Sequence, residues 1–144
     1  MDQPFDTMRL PAARDVVAPD GSDVRILLRL AGGSMAHFEL ACGHTSRAVV
    51  HRTVDEIWYV LCGRGEMWRS QAAGEGGRGE GGGGQTTALE AGTCLSIPAG
   101  TRFQFRSLGD GPLCAVAVTM PPWPGEDEAT EVGGVWTAGE RTGC

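Results

Sequence analysis

The sequence predicts a single all-β domain, folded as a sandwich or closed barrel. Short alternations of apolar and polar residues recur at roughly 8–12-residue spacing, the interval of strands in such folds. Glycine and proline pairs separate them, and no stretch carries the apolar periodicity of an amphipathic helix of ordinary length. With 144 residues and 41% hydrophobic side chains, the chain can bury one core without staples.

Residues 1–23 read as an irregular arm with a short strand around Ala13 to Ala18. Val24, Ile26, Leu28 and Leu30 then alternate with Arg25 and Arg29, as in a half-buried strand, and Gly32-Gly33 turns the chain. In the next run Ala36, Phe38 and Leu40 share one face, and Met35, His37 and Glu39 the other. After a turn at Cys42-Gly43-His44, Ala48 to His51, Asp55 to Cys62 and Glu66 to Arg69 read as strands. Residues 72–85 are expected to form a flexible loop around GEGGRGEGGGG, because glycine runs lose much entropy on ordering. No G-K-[ST] follows it, which argues against a phosphate cradle. Thr86 to Leu89, Thr93 to Ile97, Arg102 to Ser107 and Leu113 to Met120 complete a barrel over residues 24–120. Residues 121–144 form a tail, stiffened by PPWPG and anchored on the barrel through Trp123 and Trp136.

Composition narrows the function classes. A net charge of −6 with dispersed arginines argues against a nucleic-acid partner. No apolar run approaches the ~20 residues of a membrane span, and the segment MDQPFDTMRL is acidic and lacks an apolar stretch, so a soluble cytoplasmic protein is expected. Every basic residue is Arg, which closes off lysine Schiff-base chemistry. The five cysteines make no C-x-x-C pair and read as small apolar side chains plus a free C-terminal thiol.

Two segments carry a resemblance. From His51 the sequence runs HRTVDEIWYVLCGRGEMW, and from Gly92 it runs GTCLSIPAGTRFQF. They resemble the paired signatures of the cupin superfamily, G-x5-H-x-H-x3,4-E-x6-G and G-x5-P-x-G-x2-H-x3-N. Glu56 and Gly63 match the first, and Gly92, Pro98 and Gly100 match the second in order and spacing. The resemblance implies a double-stranded β-helix, a small jelly-roll barrel whose centre often holds Fe, Mn, Zn or Ni. It also implies a ligand set of two histidines and a glutamate from the first motif and a histidine from the second. Here Glu56 takes the glutamate position and His51 the second histidine position, whereas the other two fall on Val49 and Phe103. His37, on a neighbouring strand, is the substitute ligand available.

Strand parity sets the expected pocket. Val49 and His51 share a face, with Arg47 preceding them on it, while Glu56, Trp58 and Val60 point inward together. Phe103 and Phe105 share the inward parity of the absent histidine. A bulge near Thr101 would reverse that and present Arg102 and Gln104 instead. Ile57, Tyr59 and Leu61 are left on an outward face, and with the family analogy this suggests a homodimer.

These residues lead to three expectations. The first is a barrel that binds a small organic molecule, with His51 and Glu56 as an acid–base couple of isomerase or cyclase type. The second is a metal-dependent dioxygenase built on His51, Glu56 and His37. The third is a non-catalytic small-molecule binding or sensor domain.

Overall fold

A computed structural model describes residues 5–71 and 84–143. Eleven strands are formed among the described residues: β1 Val16–Val17, β2 Asp23–Leu30, β3 Gly33–Leu40, β4 Ala48–His51, β5 Asp55–Cys62, β6 Arg64–Gln71, β7 Gln85–Glu90, β8 Cys94–Ile97, β9 Thr101–Ser107, β10 Leu113–Met120 and β11 Ala129–Val132. A 3-10 turn, Glu126–Glu128, precedes β11. The described residues include no helix long and apolar enough to cross a membrane.

The strands form two antiparallel sheets, ordered β1-β2-β3-β10-β5-β8 and β11-β4-β9-β6-β7. Their facing sides enclose a core that includes Trp58, Val60, Met67, Phe103, Phe105 and Leu113. This is the jelly-roll arrangement, in which alternate residues of each strand fill the space between sheets. In β10 the alternation is complete: Leu113, Ala115 and Ala117 are buried, and Cys114, Val116 and Val118 are half-buried on the outer side.

The segments expected as arm and tail both join the sheets. Strand β1 pairs with β2, and β11 pairs with β4, setting Ala129 opposite His51. Of the expected glycine-rich loop, residues 72–83 lie outside the described residues, and Gln85 opens β7. Along β2 the expected half-buried pattern fails after Val24, since Ile26, Leu28 and Leu30 are exposed by 54%, 40% and 80%. A register irregularity between Ile26 and Arg29 breaks the pairing with β3 there. Cys62, Cys94 and Cys114 are free thiols, whereas Cys42 is disulfide-bonded, contrary to the reading of uncoupled cysteines. Cys144, expected as a free thiol, lies outside the described residues.

Strand β9 decides the open question of register. It pairs with β6 through an unbroken run from Gln71–Thr101 to Gly65–Ser107, so no bulge intervenes at Thr101. Phe103 and Phe105 therefore face the core.

Candidate functional site

The interior opens into one described cavity of about 220 Å³, between the β3–β10–β5 part of one sheet and the β4–β9 part of the other. Its walls are largely apolar, from Ala36, Phe38, Val49, Trp58, Phe103 and Ala117. His51, at the end of β4, and Glu56, near the start of β5, meet at its inner side. The Nδ1 of His51 and the Oε1 of Glu56 are 3.3 Å apart, and both side chains are almost fully buried. Neither atom makes a hydrogen bond of good geometry and nor does Trp58 Nε1, although the indole stands near enough to Glu56 to favour its ionised form against desolvation. Three buried polar atoms without a well-made hydrogen bond in an apolar cavity are costly unless something binds there.

Burial drives the two ionisable groups in opposite directions. Desolvation, reinforced by the charge of Asp20, pushes Glu56 up to about 8. Desolvation also lowers His51 to about 4, against the opposing pull of Glu128. At neutral pH, Glu56 is thus a neutral acid and His51 a neutral imidazole. Each holds the form needed for proton transfer in opposite directions.

Aromatic rings fix the imidazole. His51 meets Phe103 and Trp123 edge-on, with centroids 5.1 and 5.0 Å away. Trp58 stacks on Phe38 at 5.5 Å and is met edge-on by Phe105 at 4.9 Å. Trp123 comes from the segment between β10 and β11, which is held at both ends. At one end its backbone N donates to Ser34 Oγ (2.9 Å), which is itself paired with Thr119 Oγ1 at 2.7 Å. At the other end the Glu128 carboxylate accepts from Thr53 N, Thr53 Oγ1 and Val54 N at 2.6, 2.7 and 2.8 Å. Desolvation opposes ionisation of Glu128, but these bonds outweigh it and hold the carboxyl below its usual range.

Of the sequence-predicted residues, the structure brings together His51, Glu56, Trp58, Val49 and Phe103 around the cavity. Four others lie elsewhere. Phe105 packs behind Trp58 and does not line the cavity. Arg47 is exposed and donates to the carbonyl of Pro19, because it precedes β4, where strand alternation does not yet apply. Gln104 faces away from the core and clasps the tail. Its amide donates to the carbonyls of Ser46 and Trp136 and accepts from the N–H groups of Val135 and Trp136, so all its capacity is used. His37 stands opposite Val116 and Arg25, on the side of the sheet turned away from Phe38 and the cavity.

Sequence reasoning missed Asp20 and gave Trp123 only an anchoring role. Asp20 lies in the β1–β2 turn, lines the cavity and is 6% exposed. Its Oδ1 accepts from the N and Oγ of Ser22 at 2.8 and 2.6 Å. The P-D-G-S run at Pro19 signals this turn, with Gly21 at φ 100°. Nothing in the local sequence says that the turn folds over a pocket.

The residues present do not fit a divalent metal. His51 and Glu56 supply two donors, and Val49 and Phe103, at the two other positions that the motif resemblance gives to ligands, line the cavity with apolar side chains. His37 cannot replace them from the other face of the sheet, so the ligand set His51–Glu56–His37 is not assembled. No described group of three or more His, Cys, Asp or Glu is arranged to hold an ion.

A jelly-roll barrel with a buried acid–imidazole pair in an apolar cavity is the class of protein defined so far. The cupin domain family matches residues 36–119, and the chain belongs to that family. No curated protein matches it. Among solved structures it is similar to an oxalate oxidase in complex with glycolate, at 22% identity and a TM-score of 0.70, covering 91% of this chain and 65% of that one. Similarity to oxalate decarboxylase from Bacillus subtilis is 15% in identity with a TM-score of 0.63, covering 83% of this chain and 30% of that one. An uncharacterised double-stranded β-helix protein from Klebsiella pneumoniae is 16% identical with a TM-score of 0.60, covering 92% of this chain and all of that one (100%). At these identities the likeness concerns the fold alone.

Proposed function

We propose that this protein binds a small, mainly apolar organic molecule carrying a carbonyl group and moves a proton on it, as an isomerase or cyclase does. The observation that carries this reading is a trio of buried atoms without well-made hydrogen bonds, His51 Nδ1, Glu56 Oε1 and Trp58 Nε1, in an otherwise apolar cavity. A carbonyl oxygen would accept from the Trp58 indole and from the neutral Glu56 carboxyl. His51 Nδ1 would remove a proton from the adjacent carbon while Glu56 delivers its own to the oxygen, giving an enol. Return of the proton from His51 to a different carbon, and recovery of the Glu56 proton from the oxygen, completes an isomerisation. In the intermediate, imidazolium and carboxylate face each other across a desolvated gap, where their attraction is strong.

Incubation with small cyclic and unsaturated ketones in deuterated water and chelator tests this reading. Binding is followed by thermal shift and deuterium incorporation by NMR. Exchange that is lost in both Glu56→Gln and His51→Ala, with binding retained in Glu56→Gln, is the expected result. Binding without exchange would show a non-catalytic binding domain and overturn the enzymatic reading. The dioxygenase expectation has no such support, since the donors it needs are not assembled.

A homodimer is proposed as well. Ile57, Tyr59 and Leu61 of β5 are 43%, 48% and 44% exposed on the outer face, beside the half-buried Val116 and Val118. Light scattering of the wild type and of Tyr59→Arg should give a dimer and a monomer.

A further inference from the structure

The outer face of the first sheet carries a feature the cavity does not use. Cys62, the last residue of β5, is directly opposite Cys114 on β10. Strict alternation would turn Cys62 inward with Glu56, Trp58 and Val60. The β5–β10 register shifts between Cys114 and Ala115, and both Leu61 and Cys62 are exposed, so the bulge returns Cys62 to the outer face. Cys114 already belongs to that face by the alternation of β10. Two free thiols therefore stand as a cross-strand pair on one side of the sheet. Directly opposed residues of antiparallel strands have Cα atoms about 4.5–5.5 Å apart. That falls inside the window of about 4.4–6.8 Å that a disulfide requires.

We propose that Cys62 and Cys114 form a thiol–disulfide exchange site for low-molecular-weight disulfides, closing to an intramolecular bond. The exposed Cys62, as thiolate, attacks one sulfur of the small disulfide and releases the other half as a thiolate. Cys114 then attacks the Cys62 sulfur, forms the cross-strand bond and expels the second small thiol. Two protons and two electrons leave the protein, and one small disulfide is reduced to two thiols.

The roles follow from exposure and environment. In the single chain Cys62 is exposed and Cys114 half-buried, so the incoming disulfide meets Cys62 first, and the monomeric Tyr59→Arg variant keeps that access where a dimer would cover this face. Burial raises the Cys114 thiol, and its contact with Cys62 and the charge of Glu39 raise it further, with Arg25 opposing. Capping Cys62 as a mixed disulfide removes its contribution, which eases ionisation of Cys114 at the step where Cys114 must act. Cys94, exposed on β8 in register with Tyr59, has no cysteine opposite it and serves as an internal comparison.

The test treats the full chain with oxidised glutathione and maps disulfides by mass spectrometry of non-reduced peptides. The expected result is a Cys62–Cys114 linked peptide, with glutathione retained on Cys94 and not on Cys62. In Cys114→Ser, glutathione should accumulate on Cys62, and in Cys62→Ser, Cys114 should stay unmodified. Circular dichroism confirms that each variant is folded. Stable glutathione on wild-type Cys62, to the same extent as on Cys94, would overturn the proposal. So would a linked peptide pairing Cys62 with any other cysteine.

Discussion

The indole of Trp123 stands edge-on to the imidazole of His51, centroids 5.0 Å apart and planes at 74°. A residue from the connection between β10 and β11 thus sets the orientation of the central ring of the cavity. Trp123→Ala should free His51 to rotate and open the wall to water. The expected cost is about 1–3 kcal/mol in stability, less than for a fully buried tryptophan. Ligand affinity should fall at least about tenfold. Urea denaturation and ligand titration of the variant measure the two effects separately.

Glu56 makes stability depend on pH in a definite direction. Its folded value, about 8, lies above the ordinary 4.5, so the folded state holds the proton more tightly. Its contribution is fully present below pH 4.5 and is lost as pH rises toward 8. His51, lowered to about 4 from 6.5, works the other way, and its contribution is lost as pH falls through that interval. Above pH 6.5 the Glu56 effect is no longer opposed. Glu56→Gln should therefore gain on the wild type with rising pH, by up to about 1.4 kcal/mol per pH unit. Denaturant midpoints at a series of pH values from mildly acidic to alkaline check the slope.

Asp20 contributes to the Glu56 shift through its charge. Asp20→Asn keeps an acceptor for Ser22 and removes that charge, so Glu56 should ionise at lower pH than in the wild type. A carbon-13 label on the glutamate carboxyls reads this by NMR. An unchanged titration of Glu56 would show that desolvation alone sets it.

Restoring the two absent donors tests the metal reading from the opposite side. Wild-type protein purified without chelator should carry substoichiometric metal, and His51→Ala should leave that content unchanged. The double variant Val49→His, Phe103→His should bind a divalent ion at about one per chain, because four donors then line the same cavity. Elemental analysis by mass spectrometry gives the counts.

The motifs at His51 and Gly92 made the barrel legible because they contain its turns. Gly63, Gly92 and Gly100 all adopt positive φ, a need that glycine meets at little cost. Parity put Glu56, Trp58 and Phe103 on the inner side because β5 alternates as far as Val60 and β9 keeps an unbroken register with β6. It failed for Arg47, which lies outside a strand; for His37 it gave the face shared with Met35 and Glu39, but only the pairing of β3 with β10 shows that this face turns away from the cavity. Asp20 and the wall role of Trp123 were invisible for a different reason. Each reaches the cavity through long-range contacts that no local pattern encodes. The register shift that turns Cys62 outward belongs with them, since a bulge is a property of two strands together.

The segment that carries Trp123 is fastened by Ser34 on one side and by Glu128 on the other, and neither fastening uses the indole. Position 123 can therefore exchange one side chain for another while the main chain around it keeps its course. That makes it a natural place for selectivity to diversify. A smaller residue would admit a bulkier guest that itself packs against the His51 imidazole, and a polar one would favour a more hydrophilic guest, with the barrel strands left in place.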